Sequence, residues 1–114
     1  MRFRFGALVH WADGLGAKLI PDDAESAEAL SVFAEKRSEL SECYKEVFGI
    51  APYEAYEPHV SLGYFANAQI AEGTGAFIES WDNVMRKKMD GLVLQLETIS
   101  LYGFTDMATF FKCV

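Results

Sequence analysis

Pro58-His59-Val60-Ser61-Leu62-Gly63-Tyr64-Phe65 is the stretch on which the reading of this chain turns. It reads as a short buried strand, in which successive side chains point to opposite faces. His59, Ser61, Gly63 and Phe65 then share one face, and Val60, Leu62 and Tyr64 share the other. An imidazole and a hydroxyl two residues apart stand about 7 Å from one another along a strand. Imidazole transfers protons near neutral pH, and a hydroxyl donates a hydrogen bond to an anion. Together they suit a phosphate ester. The competing reading is a core strand whose His59 is merely hydrogen-bonded.

Upstream of this strand, Ile50 to Glu57 reads as a loop stiffened by Pro52 and Pro58. Its tyrosines, Tyr53 and Tyr56, can pack over the His59 site or over the core. Before the loop a long helix is expected from about residue 23 to residue 48, with Asp22 as N-cap, Glu25 completing a capping box, and Gly49 just past the end. Leu30, Phe33, Leu40, Tyr44 and Val47 form its apolar stripe, and Glu35, Glu39, Glu42 and Glu46 its solvated side. Arg37 interrupts the stripe. It is either a side chain extending from the rim of the core or a cation aimed at an anion site. At the chain start, residues 2–11 alternate, with Phe3, Phe5, Ala7, Val9 and Trp11 on one apolar face and Arg2, Arg4, Gly6, Leu8 and His10 on the other. Asp13-Gly14 then predicts a hairpin returning over Leu15 to Ile20. His10 is a second candidate histidine, or a surface residue near a strand end.

Downstream, Gln69 to Glu72 predicts one helical turn. A second helix is expected from near Gly75, with Phe77, Ile78, Trp81, Val84, Met85 and Met89 as a core stripe, cations in its last turns and Gly91 at its end. Leu92 to Tyr102 reads as a strand, Gly103 to Asp106 as a turn and Met107 to Val114 as a closing strand.

The chain has 114 residues, 51% of them hydrophobic. That predicts a single domain, 1–114, with a real core and no disorder. A formal charge of −7 argues against charge-driven binding of bulk nucleic acid or anionic membrane, though not against a local anion site. No apolar run reaches membrane-spanning length, and Met1 to Phe5 does not read as a signal peptide. Cys43 and Cys113 have no metal-ligand spacing and read as free thiols of a cytoplasmic protein. No metal site, Gly-rich phosphate loop or cofactor is expected.

Pro58-His59-Val60-Ser61-Leu62-Gly63-Tyr64 resembles the His-x-Thr/Ser-hydrophobic signature of the two-histidine phosphoesterase superfamily, which includes RNA 2′,3′-cyclic phosphodiesterases and the LigT-like proteins. The order of elements is similar to one lobe of that fold, whose two lobes each contribute one motif. The resemblance implies that His59 is an acid–base group and Ser61 a phosphate ligand. His10, followed by Trp11 and Ala12, lacks the motif hydroxyl, and the chain looks too short for both lobes.

These readings lead to an α+β fold, an antiparallel or mixed sheet of about five strands with two helices on one face, in the order β-β-α-β-α-β-β. The expected function is a phosphoesterase-like lobe that binds or hydrolyses a small phosphate ester or cyclic nucleotide end, its site completed in a homodimer. His59 and Ser61 are the catalytic candidates; Tyr64, Tyr56, Arg37 and His10 are the substrate-binding candidates. The alternative is a non-catalytic oligomeric module.

Overall fold

The computed structural model describes residues 1–51, 55–100, 102–106 and 108–113. Pro52 and Tyr53 of the expected loop lie outside these residues, as do Leu101, Met107 and Val114 of the expected last strands. The described residues build an α+β fold with six strands and three helices.

Strands β1 (Arg2–His10) and β2 (Gly14–Pro21) form the expected hairpin, closed by the Trp11 N–H donating to the Gly14 carbonyl at 2.8 Å. β2 also pairs with β3 (His59–Tyr64), and β1 with the two-residue β4 (Leu94–Gln95). Every pairing is antiparallel, in the order β3-β2-β1-β4.

The alternation expected along β1 does not persist. Phe5 pairs with Leu19 but Ala7 with Lys18, so Gly6 is an extra residue, a β-bulge. Beyond a bulge the two faces exchange. Phe3 and Leu8, read from simple alternation as opposite-facing, are both buried, at 2% and 9% exposure. Burying a side chain of Phe3's size stabilises the fold by roughly 1.5–3 kcal/mol.

The face of Phe3, Leu8 and His10 is the one the helices cover. α1 (Ala24–Phe48) brings Leu30 and Phe33 to a small cavity that Phe3 and Leu19 also line. Its N-cap is Asp23, not Asp22: the Asp23 carboxylate accepts the Ser26 N–H at 2.7 Å. That bond, before any other influence, holds the Asp23 carboxyl below the usual range. Ser26 Oγ in turn accepts the Arg2 N–H at 2.7 Å, tying the helix start to the sheet, while Asp22 pairs with Arg2 at 3.4 Å. Gly49 ends α1 with φ 68°, a left-handed conformation that a side chain would disfavour, and donates to the Lys45 carbonyl. The C-terminal half of the stripe is not core, because Leu40, Tyr44 and Val47 are exposed. A helix of 25 residues is about 37 Å long and overruns the short sheet.

The region read as a single helical turn is a separate helix, α2 (Ala68–Gly75), capped by the Asn67 side chain accepting the Ile70 N–H. α3 (Ile78–Lys88) begins later than expected, and its stripe is only half covered: Phe77, Trp81 and Val84 are exposed. α3 closes the outer edge of β1. β4 reaches only Arg2 and Phe3, and beyond it Asp82 Oδ1 accepts the Leu8 N–H at 2.8 Å. Asp82 Oδ2 accepts from Arg86 Nε at 2.7 Å. Burial alone would raise the Asp82 pKa, but the Leu8 N–H and Arg86 outweigh it, and the net direction is down.

The long strand expected over 92–102 shrinks to β4. Residues 103–106, expected as a turn, instead lie in β5 (Tyr102–Asp106), which pairs with β6 (Thr109–Lys112) in a separate hairpin. The turn is displaced to Asp106, whose carboxylate accepts from the Ala108 N–H and the Thr109 hydroxyl. No helix among the described residues is long and apolar enough to cross a membrane.

Candidate functional site

β3 is an edge strand of the sheet. With one neighbour and, among the described residues, no helix packed along it, it is exposed at all six residues rather than buried. Its register with β2 contains a second bulge. Ser61 pairs with Gly16 and Gly63 with Leu15, leaving Leu62 without a cross-strand partner. The faces therefore exchange after Leu62. His59 and Ser61 stay together, opposite Lys18 and Gly16, but Gly63 and Phe65 leave their side and Tyr64 joins it. Phe65 packs instead on His10, ring centroids 5.1 Å apart.

His59, Ser61 and Tyr64 line a surface cavity of about 690 Å³ together with Arg37 and Tyr56. Five of the six residues singled out in the sequence thus share one cavity. The sixth, His10, belongs to the helix-covered face: its Nε2 bonds the Ala71 carbonyl at 2.8 Å, and it does not line the cavity. Arg37 has its guanidinium carbon 4.9 Å from the centre of the Tyr56 ring, within cation–π range, and Phe33 packs edge-on against the same ring.

His59 is exposed and oriented from two sides. Its Nδ1 lies 2.8 Å from the Glu57 carbonyl oxygen. A carbonyl only accepts, so Nδ1 carries the proton, and in the neutral ring Nε2 is the basic nitrogen. The Trp11 ring meets the imidazole edge-on, centroids 4.8 Å apart. Trp11 reaches it by lying across β2 at Gly16, where a side-chain carbon would collide with the indole. Lys18 Nζ is held 3.2 Å from Glu57 Oε1 at the rim.

Trp11 and Gly16 were not singled out as site residues from the sequence. A glycine inside a strand does signal close approach of another group, and the hairpin register sets Val9 opposite Gly16, two residues from Trp11. Among the described residues no three His, Cys, Asp or Glu side chains gather as a metal site. Both cysteines are free and exposed. Searches of family models, curated proteins and solved structures found no match to this chain.

Proposed function

We propose that this chain is a phosphoesterase-like lobe that binds a small phosphate ester or the cyclic phosphodiester end of a nucleotide at the His59–Ser61 cavity. The observation that carries the reading is the convergence of an oriented imidazole, a hydroxyl and an arginine on one open cavity. Ser61 Oγ–H donates to a phosphate oxygen, and Arg37 supplies positive charge. In hydrolysis, His59 Nε2 takes the proton of the attacking water as the new P–O bond forms. The departing ester oxygen needs a proton as its bond to phosphorus breaks. One imidazole performs one of these transfers, and a His59 from a second copy performs the other. A twofold axis makes the two copies equivalent.

A second reading, a binding module without turnover, is favoured by one observation: His59 is the single imidazole at the cavity, since His10 bonds Ala71 on the other face. Turnover of a 2′,3′-cyclic nucleotide separates the two. The parent is expected to hydrolyse it, and His59→Ala to lose about 10²–10⁴-fold. Binding that perturbs the His59 ring resonances without turnover selects the module. A ligand series that leaves those resonances unmoved, or a His59→Ala chain as active as its parent, overturns the phosphate reading.

A further inference from the structure

The chain exposes 8725 Å². A folded monomer of 12.7 kDa exposes about 6,200 Å². Its radius of gyration, 16.3 Å, exceeds the roughly 13 Å of a compact domain of this length. The excess, about 2,500 Å² per chain, is what each partner buries in a large obligate interface.

The surplus includes much apolar surface near the C-terminus. In the β5–β6 hairpin Tyr102, Phe104, Phe110 and Phe111 are 53%, 65%, 59% and 53% exposed. By register, Tyr102, Phe104 and Phe110 share one face, and Phe111 lies on the other, its ring across Gly103. A lone two-stranded hairpin is marginal in water, and this one is apolar on both faces. Leu92, Leu94 and Ile99, just before it, are also exposed.

We propose that this hairpin and the preceding Leu92–Ile99 run form a twofold interface with a second copy of the chain. The area favours that partner, because a second copy brings an equal apolar surface to the same twofold contact. Lys112 stands opposite Tyr102 on the face of Phe104 and Phe110, whereas Asp106, past the bulge at Thr105, turns to the face of Phe111. The interface names the surface by which the second copy invoked for the site would join, but it stands or falls on assembly alone.

Sedimentation of the intact chain across a concentration series tests it, with hydrogen exchange of the hairpin amides in the same samples. The expected parent is a dimer whose hairpin amides lose protection on dilution. Phe104→Asp is expected to weaken the dimer by about tenfold or more. Tyr102→Ala, a milder change on the same face should Phe104→Asp fail to fold, weakens it by about a few-fold. Ile70→Lys, an exposed change on α2, leaves it unaltered. A parent that stays monomeric at high micromolar concentration overturns the proposal, as does a dimer that neither hairpin variant weakens. A monomer that still binds cyclic nucleotide removes the interface and leaves the phosphate site; a dimer that ignores phosphate does the reverse.

Discussion

The β1–β2 and β5–β6 hairpins are built from similarly apolar strands, yet one reaches the core and the other stays at the surface. β1 and β2 give one face to the helices, with Phe3, Leu8 and Ala17 buried there, while β3 beside them is exposed along its whole length. In the hairpin aromatic residues occupy both faces and remain exposed. Half-polar alternation lets a strand finish its burial within its own chain. A strand apolar on both sides needs layers on both sides, and among the described residues no helix packs substantially on the hairpin.

The sharpest way to break this comparison is to truncate one aromatic ring in each region. Phe3→Ala is expected to cost about 3–5 kcal/mol in urea denaturation. Phe104→Ala, measured on the dissociated chain, should cost below about 1 kcal/mol, like other surface changes. Equal costs would mean that the hairpin is core after all.

A glycine under an aromatic ring occurs in both regions, Gly16 under Trp11 and Gly103 under Phe111. Gly16→Ala is expected to cost about 1–3 kcal/mol by overpacking, and to displace the indole from His59, seen as a shift in tryptophan fluorescence. Gly103→Ala should leave the sheet's unfolding midpoint nearly unchanged, because the Phe111 ring has open space to move into. A fall as large as that of Gly16→Ala would erase the distinction.

Comparable or smaller is Asp82→Ala, which leaves the Leu8 N–H without its acceptor and should cost about 1–3 kcal/mol. Its signature is pH. The folded Asp82 carboxyl is held below its usual value of 3.8, so its contribution is complete above that value and disappears as pH falls through the folded pKa. The parent should therefore lose more stability than the variant on acidification from about pH 5 to about pH 2. Parallel curves would show that Asp82 does not anchor the β1 edge. The smallest effect is expected from Asp23→Ala, a modest fall in Tm from loss of the α1 cap; Asp22→Ala should do less, which a thermal scan of the pair checks.

Much of the sheet was legible because its signals are local. The Asp13-Gly14 turn, the Gly49 stop and the Pro58-bounded strand each depend on a few neighbouring residues. The side chains of His59, Ser61, Tyr56 and Arg37 were legible as candidates from chemistry and spacing. What alternation could not show were the bulges at Gly6 and Leu62, because an extra residue is defined by the partner strand and not by the strand itself. Alternation sets Trp11 on the Phe3 face for the same reason, and the Gly6 bulge moves it to the other. The long strand read over 92–102 failed differently: its pattern is strand-like, but β1 offers it only Arg2 and Phe3 as ladder partners.

The Leu62 bulge works as a phase shift in a two-beat rhythm. Before it, odd-numbered residues look into the His59–Ser61 cavity; after it, even-numbered ones do, which is how Tyr64 enters and Phe65 turns back to His10. Pairing that residue in regular register would remove the phase shift and send both rings to the opposite sides of the sheet, whereas deleting it would leave them where they are. Along this strand the register of residues carries as much information as their identity.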